Sequence, residues 1–165
     1  MMDLVENAVA FGYLTIDKVF ADGTVENVFT EEKNVITRKS KRHHLSFLYD
    51  EMARPDILTS FKVGTGGTMD PEGKRPINPD PTRNNLYAPL NINNNKITIT
   101  ASKDTDAQDY ILVVFALTQD EGNDQNMSEV GLFKKAGDMF NIKTFRAVPK
   151  NESFSLQFSW RIVYA

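Results

Sequence analysis

The chain has 165 residues, 41% hydrophobic and 25% charged, which suits one domain with a sizeable core. A formal net charge of -3 and a pI near 5.4 exclude a protein built overall to coat nucleic acid. Cysteine is absent, which excludes disulfides, a thiolate nucleophile and a thiolate metal site.

The opening MMDLVENAVA carries acids and no basic region, so it does not read as a secretory signal, and the chain is expected to be made and folded in a cytoplasm. A hairpin is expected over 11–30. Residues 13–20 are mostly apolar and β-branched, Asp22-Gly23 signals a two-residue type I′ turn, and residues 25–29 return. Thr37 has the hydroxyl of an N-cap, and a helix follows over 38–53. Leu45, Leu48, Tyr49 and Met52 share one helical face, Phe47 points away from it, and Arg54-Pro55 ends the helix. Residues 58–64 form a short strand.

A loop over 64–85 comes next, holding four of the nine Gly and four of the seven Pro. That is long for a connection inside a compact domain, so it reads as a functional excursion or a segment ordered by a partner. The C-terminal region, 96–165, reads as all-β, with strands over 97–102, 110–117, 129–134, 139–148 and 153–164. In the last, Phe154, Leu156, Phe158, Trp160, Ile162 and Tyr164 alternate with polar residues, which marks one buried face. Such a terminal strand offers a sheet edge to be paired or covered. The expectation is a single domain over 1–165, α+β in class: mainly an antiparallel β-sandwich or barrel-like sheet with one helix packed on it. The helix face should meet the sheet face carrying Phe154, Leu156, Phe158 and Trp160.

Motifs for chemistry are sparse. VGTGGTMDPEGKR imitates a phosphate loop, but Thr68 stands at its first Gly position and Arg75 replaces the hydroxyl after Gly73-Lys74. His43 and His44 are adjacent, so on a helix they diverge by about 100° and share no metal. Asp104, Asp106, Asp109, Asp120, Glu121 and Asp124 lie in two loops. Counting a calcium loop from Asp120 puts Gly131 where a bidentate Glu is required. Neither a Gly-x-Ser-x-Gly elbow nor a cysteine nucleophile is present. The reading is of a non-enzyme with no catalytic, metal or cofactor site. Arg38, Lys39, Lys41 and Arg42 crowd the helix start, where the macrodipole favours anions. They read as a solvated face, as a site for an acidic surface on a partner protein, or as a nucleic-acid contact.

EVGLF, a short turn, MF, KTF and the terminal LQFSWRIVYA together resemble a family of tailed-bacteriophage virion proteins, found in tails, baseplates, collars and the attachment domains of tail fibres. The order continues through NVIT at Asn34 to Thr37, VGTG at Val63 to Gly66, Thr82-x-x-x-Leu86, Glu129 to Phe133, and Trp160-Arg161-Ile162. Fibre members run on into long repetitive shafts and this sequence ends at Ala165, so the resemblance is to the attachment module alone. It implies a structural virion component: an adaptor or wedge in the tail or baseplate that attaches other tail or fibre proteins. The alternatives are a collar or neck protein anchoring fibres at the head–tail junction, and a carbohydrate-binding host-recognition module using Tyr87 and Tyr110. The implied partners are other virion proteins in a homo-oligomer or ring, without direct nucleic-acid or membrane contact, and the implied location is the virion. Arg38, Lys39, Lys41, Arg42, Lys74, Arg75 and Arg83 are the expected interface cations, and the loop is expected to be mobile until a neighbour orders it. Glu129, Gly131 and Trp160 are expected to be structural, Glu129 by accepting backbone amides from a nearby turn.

Overall fold

The computed structural model describes residues 10–38, 40, 58–103 and 109–164. Among them, nine strands make up almost all of the regular structure: β1 Ala10–Phe20, β2 Val25–Lys33, β3 Val35–Ile36, β4 Leu58–Gly64, β5 Thr98–Lys103, β6 Asp109–Leu117, β7 Asn126–Lys134, β8 Met139–Pro149 and β9 Phe154–Tyr164. All pair antiparallel, in a five-stranded sheet of order β2-β1-β9-β6-β5 and a four-stranded sheet of order β3-β8-β7-β4.

One core lies between the two sheets. From the first sheet it takes Leu14, Ile16, Val113, Phe115, Leu156, Phe158 and Trp160; from the second, Phe61, Val63, Val130, Leu132 and Phe145. Phe61 stacks on Phe115 across the gap with ring centroids 4.3 Å apart, and Phe115 stacks on Phe158 at 4.9 Å. Each such buried side chain contributes about 1.5–3 kcal/mol. This makes the architecture sandwich-like rather than a closed barrel. The α part of the expected α+β class has almost no counterpart among the described residues. The helix over 38–53, with Lys39, Lys41, Arg42, His43, His44, Leu45, Phe47, Leu48, Tyr49 and Met52, falls outside them, except for Arg38 and Ser40. Its cap is described: Ser40 N donates to Thr37 Oγ1 at 3.3 Å, and that hydroxyl also lies 2.9 Å from the Met139 carbonyl.

Three further expectations change. β9 is not an edge, because β1 and β6 pair with it on its two sides along nearly its whole length. Its alternation reflects a central strand with one face in the core, where Trp160 is fully buried. The first hairpin does not turn in two residues. Gly23 N donates to Phe20 O and Phe20 N to Thr24 O, and only Gly23 of the loop has a positive φ, 87°. That is a three-residue loop closed by a glycine bulge. Val35 and Ile36, for which no strand was expected, pair with Ile142 and Asn141 as a short edge strand.

β7 explains why EVGLF has no alternation. Every residue from Met127 to Lys134 is buried, so both faces of the strand are covered. Val130 and Leu132 face the sandwich core, while Phe133 joins Leu86, Met139 and Ile142 in a second small core. Leu86 comes from the long connection between β4 and β5, which therefore covers the outer face of the second sheet.

Candidate interaction surface

The connection from β4 to β5 is held by the sheet beneath it. Glu129 is fully buried, and its carboxylate accepts three backbone N–H groups of that connection. Oε1 takes Ala88 N at 2.7 Å and Gly66 N at 3.1 Å, and Oε2 takes Tyr87 N at 2.8 Å. Next to it Ser128 Oγ accepts Gly67 N at 2.8 Å. Both Gly67 and Gly131 are required by close approach. A Cβ on Gly67 would lie 1.9 Å from Ser128 O, and one on Gly131 would lie 2.9 Å from Asn141 O and 3.2 Å from Leu86 Cδ2. The backbone can reach the carboxylate only because these positions carry no side chain.

Two aspartates stiffen the rest, Asp80 by an Asx turn. Asp70 accepts Arg75 N at 2.8 Å and Lys74 N at 3.1 Å, and those bonds hold its carboxyl below the usual range. The aspartate therefore occupies the amides that a phosphate would need in the imitation phosphate loop. Asp80 accepts Thr82 N at 2.9 Å, and the bonds from Thr82 lower its carboxyl too, with Arg38 and Arg83 adding attraction. Residues 88–96 then run along β4: Leu90 N donates to Val63 O and Phe61 N to Asn95 O. The expectation that only a partner could order residues 64–85 is corrected by these bonds. The ordering is done by side-chain acceptors, Glu129 and Ser128 among them buried, together with the apolar anchor Leu86.

The expected interface cations scatter. Arg83 lies over the Tyr87 ring at 3.7 Å and donates to the carbonyls of Asn85 and Leu86, so it fastens the connection. Arg38 is exposed and donates its backbone N–H to Pro81 O. Arg75 is exposed at the Asp70 turn, and Lys74 is exposed beside Glu72, 3.8 Å away. Lys39, Lys41 and Arg42 lie outside the described residues. Tyr110 is half-buried, with Arg161 6.0 Å from its ring. Among the described residues, no three of His, Cys, Asp and Glu gather as metal ligands; Asp104 and Asp106 lie outside them. Glu121 instead accepts Asn94 N and Thr118 N.

Lys74 opens onto a groove of about 690 Å³ that no sequence motif announces. β2 forms one wall with Val28, Phe29 and Lys33; β8 forms another with residues 142–146; residues 74–79 form the third. Phe29 and Phe145 meet at its base with centroids 5.7 Å apart. Lys143 bridges to Glu32 at 3.0 Å and donates to Lys33 O. Lys33, Lys143 and Arg146, which line this groove with Lys74, carry a weak sequence signal: cations at alternating or terminal strand positions, which read as solvent-facing.

No protein-family model, curated protein or solved structure matches the chain.

Proposed function

We propose that the chain is a non-enzymatic structural component of a tailed-phage virion, an adaptor or wedge in the tail or baseplate that attaches other tail or fibre proteins. One observation carries this reading. The motifs that support the resemblance, far apart in sequence, meet at one carboxylate. Glu129 of EVGLF accepts Gly66 of VGTG, and also Tyr87 and Ala88, which directly follow Thr82-x-x-x-Leu86. NVIT pairs with β8 beside this point, and Trp160-Arg161-Ile162 lies in the central β9. That these motifs lie together in one covered sandwich supports reading them as one unit.

The acids on this face bind backbone amides, which favours a scaffold over catalysis. The carbohydrate-binding alternative is less well served, because the Tyr87 ring already carries Arg83. Placement at the collar or neck would use the same unit against a different neighbour. Genetic removal tests the reading. Phage lacking the gene should yield particles without their tail or fibre attachments, restored when the chain is supplied in trans. Complete, infectious particles made without it would overturn the proposal.

A further inference from the structure

β8 has an open stretch of edge. On its outer side β3 pairs only with Asn141 and Ile142, and Gly73 O next receives Ala147 N. Between them, residues 143–146 have no neighbouring strand on that side among the described residues; the Thr144 hydroxyl donates to Ile77 O, and β8 carries a bulge between Thr144 and Val148. At about 3.3 Å per residue the gap is about 13 Å of strand edge. Two of the other edges are defended. β4 is covered by residues 88–96, and β2 is charged and bulged.

The groove lies along this gap, and its charge is one-sided. Lys33, Lys74, Lys143 and Arg146 line it, against the single acid Glu32, which Lys143 already holds at 3.0 Å. This excess of cations stands on a chain whose net charge is -3. Its floor is apolar, with Phe29 and Phe145 in contact. An open strand edge, a row of cations and an apolar floor together select one kind of occupant.

We propose that the groove between β2, β8 and residues 74–79 docks an extended acidic segment of a partner protein, with carboxylates toward the cations and apolar side chains on the Phe29–Phe145 floor. The segment lies along β8 in line with β3. Strand addition supplies main-chain bonds, and the alternation of side chains sorts acids from apolar residues. The inference deepens the structural reading, because it names the chemistry of the neighbour that the chain would attach.

Fluorescence anisotropy on the purified full chain tests it, with a fluorescein-labelled hexapeptide alternating aspartate and valine. The expected result is saturable binding that weakens with salt. Lys74→Glu combined with Arg146→Glu should weaken it about tenfold or more. Lys135→Glu, in the exposed β7–β8 turn outside the groove, should leave it unchanged. Circular dichroism and thermal melts check that each variant is folded. Equal binding to the groove variant, or to a peptide with lysine in place of aspartate, overturns the proposal. Tighter binding of a short oligothymidylate overturns it in favour of nucleic acid. These results bear on the groove alone, whereas the particle phenotype of the gene deletion bears on the virion role, so the two failures are distinguishable.

Discussion

Replacing Glu129 by Gln turns one buried oxygen into an amide donor while keeping the shape of the side chain. Oε1 accepts two N–H groups, at 2.7 and 3.1 Å, and Oε2 accepts one, at 2.8 Å. Glutamine keeps most by leaving its carbonyl toward Ala88 and Gly66, which turns its NH2 against the Tyr87 N–H. One charge-assisted bond, about 1.5–3 kcal/mol, is then lost, and a buried donor is left facing a donor. Relief from burying a charge offsets part of this. The expected net loss is about 2 kcal/mol for Glu129→Gln, and about 4 kcal/mol for Glu129→Ala, which abandons all three amides. In a domain of this size about 2 kcal/mol lowers Tm by about 4–8 °C. Urea unfolding followed by the fluorescence of Trp160, the sole tryptophan, gives the stability change. Trypsin cleavage after Arg83 reports release of the connection, and should accelerate in the variant. A Glu129→Gln protein within about 0.5 kcal/mol of wild type, cut at the same rate, would refute the stapling argument. A hydrolase activity that vanished in this variant would refute both that argument and the non-enzymatic reading.

Trp160→Ala removes the largest fully buried side chain and should cost about 3–5 kcal/mol in urea unfolding followed by circular dichroism, since the variant has no tryptophan. Gly67→Ala drives a Cβ to 1.9 Å from Ser128 O, against rigid backbone, and should cost about 3 kcal/mol or more, read as a fall in Tm. Asp70 has a folded-state pKa below its unfolded value, so its contribution is present above about pH 4 and is lost as pH falls through the lower folded value. Asp70→Asn should therefore lose a little stability at neutral pH and show a shallower decline of the urea midpoint below about pH 4; an unchanged acid limb would refute the role given to the Asp70 turn.

The strands were legible in the sequence because their burial is periodic. β9 alternates since only one face enters the core, and the expected strand over 58–64 coincides with β4. EVGLF was legible as a strand although it does not alternate, and the reason is physical: the connection buries its second face. The ordering of that connection was hidden. It relies on single acceptors, Glu129, Ser128 and Asp70, that bind backbone amides far away in sequence or across a turn, and an N–H leaves no mark in the sequence. Glycine content therefore suggested mobility where Gly67 in fact permits close packing. The groove was hidden for a similar reason. Lys33, Lys143 and Arg146 come from two strands of different sheets, and only the packing of the two sheets brings them to one groove. The type of the first turn was missed because Asp-Gly serves a two-residue loop and a glycine-bulged three-residue loop alike.

The most direct test of the structural role is the composition of the particle itself. On the proposed reading a phage encodes the chain, and its virions would be purified on a density gradient, analysed by mass spectrometry and imaged by cryo-electron microscopy. The account predicts the chain in fixed stoichiometry with tail proteins, and density for the two-sheet domain at the tail, baseplate or its fibre attachments. A chain abundant in infected cells yet missing from purified infectious particles would contradict it.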